Sequence, residues 1–95
     1  MFYIYILLLK NNKLYTGFTA DLKKRYSQHQ SGGVEYTKIL RPVKLVHYES
    51  YLLEADARRR EKFLKTSDGK LFLRRQLSVF FQTIGSYDNY KNLLT

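Results

Sequence analysis

The segment YIYILLLKNNKLYTGFT, residues 3–19, decides the fold, because it sets two apolar runs that carry tyrosines on either side of a polar turn. Such a pattern is typical of a β-hairpin. The length of the turn determines which side chains share a face. A two-residue loop pairs Tyr5 with Phe18 and turns Tyr15 to the opposite side, whereas a loop of odd length, or a bulge, places Tyr5, Tyr15 and Gly17 together. The sequence is compatible with both registers.

Composition limits the class of protein. With 95 residues, of which 44% are hydrophobic, we expect one domain with a modest core. The absence of cysteine excludes disulfide frameworks, thiolate zinc sites and cysteine nucleophiles. The net charge of +9 favours a polyanionic partner, and nucleic acid over a membrane, because no segment concentrates basic residues opposite a lipid-seeking face. The alternative is a basic protein that its charge keeps soluble.

The N-terminal apolar run is a strand candidate and not a targeting segment. It ends at Leu9 and lacks both a preceding basic region and a small-residue cleavage site. It is also too short to span a bilayer. We therefore expect a soluble, cytoplasmic protein.

The rest of the chain predicts helices around a small sheet. Thr19 or Asp21 can cap a helix that runs to about Gln30 and ends at the glycine pair 32–33. A polar loop follows, and the later elements are a strand at 43–49 and helices at 50–66 and 68–81.

This order, β-β-α-β-α-α, predicts an α+β fold with three strands flanked by helices. The first strand is expected at the centre of the sheet, because both of its faces are apolar. Residues 1–81 form the predicted domain. Residues 82–95 form a C-terminal tail of unknown role, with turn signals at Gly85 and at Asp88-Asn89.

Glu61 is the most informative single residue of the second long helix. It shares the helical stripe of Leu53, Ala57 and Leu64, which is expected to face the sheet. A carboxylate on an inward face is costly unless it is paired or binds a cation. Glu61 is therefore either a metal ligand, a residue at the edge of the stripe that reaches water, or the partner of an arginine. The candidate partners are Arg58, Arg59 and Arg25.

Arg25 and His29 stand four residues apart on the first predicted helix, so they present a guanidinium and an imidazole within one turn. The alternatives are a solvated basic run, residues 23–25, and a structural histidine. His47 is interpreted as structural.

Residues 58–75 form a strongly basic segment that suits phosphate contacts, or else an ordinary solvated helix surface. Phe63 and Phe72 have the spacing of helical core residues, so we predict that they pack and do not stack on bases.

The combination of these residues resembles the GIY-YIG nuclease family, and in particular its small members similar to the N-terminal nuclease domain of the UvrC excinucleases. The resemblance covers about residues 2–77. The residues that carry it are Tyr3-Ile4-Tyr5, Tyr15-Thr16-Gly17, Arg25, His29 and Glu61. Tyr3 and Thr16 depart from the glycine and isoleucine of the family name, and a late asparagine of larger members has no clear counterpart.

The resemblance implies a three-stranded antiparallel sheet flanked by helices and a divalent-metal-dependent DNA endonuclease acting in repair or processing. It implies that Mg²⁺ or Mn²⁺ binds Glu61, that Arg25 stabilises phosphoryl charge, and that DNA, with a repair protein as a further candidate, is the partner. Tyr15 is the first choice as general base, with Tyr5 and His29 as alternatives. The predicted DNA contacts are Lys24, Lys38, Arg41, Arg58, Arg59, Lys62 and Lys65. The competing hypothesis is a non-catalytic nucleic-acid-binding module of the same fold.

Overall fold

The first strand lies at the centre of the sheet. In the computed structural model, which describes residues 1–84, β1 (Phe2–Leu8) pairs antiparallel with β2 (Leu14–Thr19) on one side and β3 (Lys44–Tyr51) on the other. Residues 4–9 are all buried, because helices cover both faces of this strand. The predicted α+β fold with a central first strand and a three-stranded antiparallel sheet is confirmed.

The turn between β1 and β2 has odd length. Leu8 pairs with Leu14, so the loop consists of residues 9–13, and it closes through a hydrogen bond from Leu9 N to Lys13 O of 2.9 Å. Asn12 sits in this loop at a φ of 65°, a left-handed conformation that asparagine tolerates better than most residues. The register that follows places Tyr5 opposite Gly17.

Five helices accompany the sheet within the described residues. Their bounds are α1 (Leu22–Ser31), α2 (Glu35–Lys38), α3 (Glu54–Leu64), α4 (Ser67–Gln76) and α5 (Ser78–Thr83). The first begins and ends as predicted, because Asp21 accepts a hydrogen bond from Lys24 N at 3.1 Å and Gly32 adopts a φ of 84°.

The structure adds detail to the predicted element order. The short helix α2 lies inside the segment interpreted as a loop, and the last predicted helix is divided at Leu77 into α4 and α5. Ser50 does not open a helix, because Tyr51 still pairs with Phe2 in the sheet. Helix α3 therefore begins after Leu53, whose side chain is exposed and does not join the buried stripe.

The two faces of the sheet have separate cores. Ile4 and Ile6 point to one face, where they pack against Ala57 and Leu64 of α3 and Leu73 of α4. The alternate residues of β1 point to the other face, because successive side chains of a strand alternate. There Tyr5 and Leu7 pack against Leu22 and Tyr26 of α1. The face covered by α1 carries Tyr5 and Tyr15.

Phe63 and Phe72 are not core residues, so the prediction that they pack inside is wrong. Their side chains are 37% and 48% exposed, their rings meet edge to face at 6.0 Å, and the Arg60 guanidinium lies over both. The helices instead turn Leu64 and Leu73 to the sheet, and a residue adjacent to Leu64 points about 100° away from it.

Helical structure extends past residue 81, where the predicted domain ends. Helix α5 runs to Thr83, and the side chain of Ile84 is buried against Leu8. The turn signals predicted at Gly85 and Asp88-Asn89 lie outside the described residues. None of the helices within residues 1–84 has the length and apolar character needed to cross a membrane.

Candidate active site

The centre of the candidate site is the phenol of Tyr5, which crosses the neighbouring strand at Gly17. Tyr5 is 1% exposed. A Cβ atom built at Gly17 would overlap Cζ and Oη of Tyr5 and would lie 2.7 Å from its Cε1. Only a residue without a side chain leaves room for the ring, so the odd loop and Gly17 together direct the Tyr5 hydroxyl toward α1.

Helix α1 supplies two polar partners to that hydroxyl. His29 Nε2 lies 2.8 Å from Tyr5 Oη, and Arg25 Nε donates to the same oxygen at 3.4 Å. The two residues reach one atom because side chains four positions apart share a helix face. The second ring nitrogen of His29, Nδ1, lies 2.7 Å from Thr37 Oγ1, so the fully buried imidazole has a partner at each nitrogen.

The hydrogen-bond geometry favours one direction of donation. Since Arg25 donates to Tyr5 Oη, the hydroxyl proton of Tyr5 is available for His29 Nε2, and Nδ1–H of His29 then donates to Thr37. This arrangement requires a neutral imidazole. Burial, with a smaller contribution from the Arg25 charge, lowers the pKa of His29 to about 4, which keeps the ring neutral at neutral pH.

Burial also fixes the protonation of Tyr5. It raises the pKa of Tyr5 to about 12, against the lowering effect of the Arg25 hydrogen bond. Tyr5 is therefore a protonated phenol at neutral pH and a poor base on its own. The neutral His29 ring therefore fixes the position of the Tyr5 hydroxyl and leaves its proton on Tyr5.

Tyr15 is the phenol at the surface of this cluster. It projects from the edge strand β2 on the same face as Tyr5, is half-buried, and has ring centroids 6.2 Å from Tyr5 and 5.2 Å from His29. Tyr36 of α2 adds a further ring, 5.6 Å from Tyr15. A substrate at this edge would meet Tyr15 before the buried Tyr5 and His29.

The sequence analysis did not identify Thr37 as part of the site. Thr37 is fully buried and lies on α2, inside the segment predicted to be a polar loop. A buried histidine needs two polar partners, and this requirement is the only sequence signal that points to such a residue. The requirement does not say which of the several hydroxyl groups in the chain supplies the contact.

Glu61 lies on the other side of the sheet from Tyr5, Arg25, His29 and Tyr15. It lies on α3, which packs on the opposite face of the sheet, and its side chain is 17% exposed. Its carboxylate pairs with Lys65 Nζ at 2.9 Å and with Arg58 Nη1 at 3.6 Å. Of the candidate partners, Arg58 is confirmed, whereas Arg59 pairs with Asp56. Within residues 1–84 no hydrogen bond or ion pair joins Glu61 to Tyr5, Arg25 or His29.

The donor set allows only a sparse metal site. Among residues 1–84 no group of three or more histidine, aspartate or glutamate side chains lies together. A single carboxylate suits Mg²⁺, which commonly keeps several waters and shares substrate phosphate oxygens. Glu61 suits that kind of ion, and it lies on α3, which packs against the edge strand β2.

The residues predicted to contact DNA are exposed and lie on both faces of the sheet. Those on the α1 and α2 side and those on α3 are Lys24, Lys38, Arg41, Arg58, Arg59, Lys62 and Lys65. Besides the ion pairs on α3, two of them have further contacts within the fold. Arg41 donates to the carbonyls of Lys38 and Gln30 at 3.0 and 3.4 Å, and the Arg58 guanidinium lies 3.6 Å from the centre of the Phe18 ring.

Comparisons with known proteins show the family to which this chain belongs. A profile of the GIY-YIG catalytic domain matches residues 1–75. A UPF0213 protein of Staphylococcus saprophyticus is 46% identical over 65 residues, which cover 67% of this chain and 79% of the relative. A UPF0213 protein of Clostridium perfringens is 37% identical over 92 residues, covering 96% and 95% of the two chains.

A solved structure gives the same result for the fold. The solution NMR structure of a UPF0213 protein from Bacillus halodurans is 32% identical, with a TM-score of 0.50, and the match covers 98% of this chain and 97% of that chain. The profile match extends over most of the sequence and includes Tyr5, Tyr15, Arg25, His29 and Glu61. The chain therefore belongs to the GIY-YIG nuclease family.

Proposed function

We propose that this protein is a divalent-metal-dependent endonuclease that hydrolyses DNA phosphodiester bonds. The observation that carries the proposal is the hydrogen-bonded set of Arg25, Tyr5 and His29 beside the half-buried Tyr15. It combines a guanidinium for phosphate charge and a phenol at the surface with a buried, neutral imidazole that fixes the Tyr5 hydroxyl holding the guanidinium.

The roles follow from burial and charge. Tyr15 is the phenol that a water molecule beside the phosphate can reach, so it is the first candidate to take the proton of that water. A phenol does so at neutral pH only if nearby positive charge favours its ionised form, which a cation bound beside the phosphate would provide. Tyr5 and His29 take a positioning role, because a phenol with a pKa of about 12 does not give its proton to an imidazole with a pKa of about 4. The Tyr5 hydroxyl, fixed by His29 at 2.8 Å, holds the Arg25 side chain at 3.4 Å.

The cation would bind through Glu61. Mg²⁺ or Mn²⁺ bound there would stabilise negative charge on the phosphate and on the leaving oxygen. A phosphate at the edge of β2 lies next to Tyr15 on one face and next to α3 on the other, because no further strand among residues 1–84 covers that edge. Binding would require Glu61 to release Lys65 or Arg58, whose side chains are both 55% exposed and so are free to turn toward phosphate oxygens.

The substrate is expected to be recognised by its structure and not by its sequence. The basic residues lie on both faces of the sheet, and phosphate contacts position DNA without reading bases. Such selectivity suits DNA repair or processing, with a repair protein as the candidate partner.

Cleavage assays test the proposal. Branched, nicked and single-stranded DNA are incubated with the protein in Mg²⁺, in Mn²⁺ and in chelator, and we expect metal-dependent cleavage of at least one substrate. The Glu61→Gln variant removes the charge that binds the cation and is expected to cut at least about a hundred-fold more slowly. Its affinity for DNA in chelator should stay within about three-fold of the original protein.

Glu54→Gln is the matched control, because Glu54 lies on the same helix and pairs with the same Arg58 at 3.6 Å. It should cut at the normal rate. If both variants lose activity equally, the loss comes from the Arg58 ion pairs and not from a metal ligand, and the role given to Glu61 is wrong.

The second candidate is a non-catalytic nucleic-acid-binding module. It is favoured by one observation, the double ion pairing of the carboxylate assigned to the metal. Binding of all three DNA forms without cleavage in either metal would establish this function and refute the endonuclease.

A further inference from the structure

An open cleft of about 510 Å³ lies beside the candidate active site. It lies between the first turn of α1 and the strands β1 and β3, and three tyrosines line it. These are Tyr3 of β1, Tyr48 of β3 and Tyr26 of α1. Lys23 and Asp21 lie at the rim, but the Asp21 carboxylate is occupied as the N-terminal cap of α1.

The three tyrosines form an aromatic surface, and their hydroxyl groups have no hydrogen-bond partner among the described residues. Tyr3 and Tyr48 meet edge to face, with centroids 6.3 Å apart, and the side chain of Tyr48 is 54% exposed. Among the described residues, no hydrogen bond is formed by the hydroxyl groups of Tyr3, Tyr26 or Tyr48. Large aromatic side chains that are neither buried nor hydrogen-bonded offer both ring faces and donors to a ligand.

The cleft adjoins the candidate active site on the same face of the sheet. Tyr48 lies directly opposite Tyr5 in the sheet, and Tyr26 follows Arg25 on α1. Helix α1 contributes to both regions: Arg25 and His29 contact the Tyr5 hydroxyl, and Tyr26 lines the cleft while packing against the core cluster that includes Tyr5. A strand whose phosphate lies at Arg25 is therefore within a short distance of the cleft at the N-terminal end of α1.

We propose that this cleft binds one unpaired base of the DNA substrate, next to the scissile phosphate. The inference rests on the proposed nuclease function. A single base exposes a planar face that can stack on Tyr48 or Tyr3, whereas the bases of a duplex are already stacked on each other. The free hydroxyl groups can bond to the edge of the base, and the ammonium of Lys23 can bind the adjoining phosphate. The cleft thus selects DNA that is single-stranded or locally unpaired.

Binding measurements without divalent metal test the cleft separately from cleavage. The affinity of the full chain for a fluorescently labelled single strand is measured by anisotropy in chelator, together with a duplex of the same sequence. Tyr48→Leu, which removes the exposed ring, should weaken single-strand binding by about five- to a hundred-fold. Duplex affinity should change by less than about two-fold. Tyr48→Phe keeps the ring and should bind the single strand within about three-fold of the original protein.

Phe72→Leu is the matched control. Phe72 is a similarly exposed ring, but it lies on α4 on the other side of the sheet. It should leave single-strand affinity unchanged. Circular dichroism melting checks that each variant is folded. If Tyr48→Leu does not fold, abasic positions tested on the original protein keep the test decisive, because the absence of any position that weakens single-strand binding overturns the cleft.

An abasic scan locates the base. Single abasic positions are placed along the oligonucleotide, and one of them should weaken binding to the original protein by the same factor as Tyr48→Leu. In Tyr48→Leu that position should lose its effect, because the ring that holds the base is gone.

The outcomes separate the two proposals. Cleavage by the original protein with no effect of Tyr48→Leu on single-strand affinity overturns the cleft and leaves the nuclease intact. Equal loss of single-strand and duplex affinity also overturns it. Ring-dependent binding of one base without cleavage in Mg²⁺ or Mn²⁺ supports the cleft and refutes the nuclease.

Discussion

Between pH 7 and pH 5, acidification is expected to destabilise this protein chiefly through the buried His29. An ordinary histidine has a pKa of 6.5, and burial in the fold lowers the pKa of His29 to about 4. Between these two values the unfolded chain binds a proton that the folded chain does not. The contribution of the neutral His29 to the free energy of unfolding is therefore fully present above about pH 6.5, and it falls as the pH decreases toward 4.

The size of the effect follows from the shift. A difference of about 2.5 pKa units corresponds to about 3 kcal/mol when the whole range is crossed. At pH 5 the unfolded histidine is mostly protonated and the folded one is not, so about 2 kcal/mol should already be lost relative to pH 7. His29 is 0% exposed, so water does not reduce the cost of placing a charge on its ring.

Urea unfolding at pH 7 and pH 5, followed by circular dichroism, measures the loss. The His29→Gln variant is the control, because it removes the titrating ring and keeps every other ionisable group, including His47. We expect the original protein to lose about 2 kcal/mol more than the variant between the two pH values. Carboxylates begin to titrate near pH 5, but they do so in both proteins, so their contribution cancels in the comparison.

Equal losses in the two proteins would refute the reasoning, because they would mean that the folded state accommodates a charged His29. NMR titration of the two histidine rings checks the same point in the folded protein alone. A His29 pKa near 6.5 would contradict the buried neutral imidazole, even if His29→Gln failed to fold.

Three substitutions test a close contact in the site, a close contact between α4 and α3, and a half-buried charge cluster on β3. Alanine normally suits a strand or helix better than glycine, yet Gly17→Ala should destabilise by about 1–3 kcal/mol, because its Cβ displaces the Tyr5 ring from His29. Gly69→Ala should cost about 3 kcal/mol, because its Cβ would lie 2.6 Å from the backbone carbonyl carbon of Phe63, which cannot turn aside. Urea unfolding measures both, and unchanged or raised stability would contradict the close contacts. Burial alone would raise the pKa of Glu49, but hydrogen bonds from an arginine, a tyrosine and a histidine outweigh burial and lower it. Glu49→Gln should therefore cost about 1–3 kcal/mol at pH 7, with a smaller cost as the pH falls below the ordinary carboxyl range; a pH-independent cost would exclude the charge as the cause.

Local sequence patterns predicted much of the fold. The continuous apolar run of β1 indicated a strand covered on both faces, and Asp21 and Gly32 marked the ends of α1, because a capping side chain and a left-handed glycine act within a few residues of where they stand. The same patterns failed at α2 and at the start of α3. There Tyr51 stays in the sheet through its pairing with Phe2, which is distant in sequence.

The sequence also indicated the residue types of the candidate site but not their arrangement. Spacing placed Arg25 and His29 on one helix face, and both do reach the Tyr5 hydroxyl. Spacing could not place Thr37 at His29, because that contact joins α1 to an element with no periodic signal. It also left the surroundings of Glu61 open, and the structure gives it Lys65, a partner that the sequence analysis did not consider.

The sequence by itself determined which side chains are available: two tyrosines on a hairpin, an arginine and a histidine one helical turn apart, and a glycine in the second strand. Tertiary structure decided which of them meet, because the odd loop of residues 9–13 sets the register and so chooses the face on which Tyr5 and Tyr15 lie. It also decided their protonation. The pKa values of Tyr5 and His29 are set chiefly by burial, which depends on how α1 packs on the sheet and cannot be read from neighbouring residues in the chain.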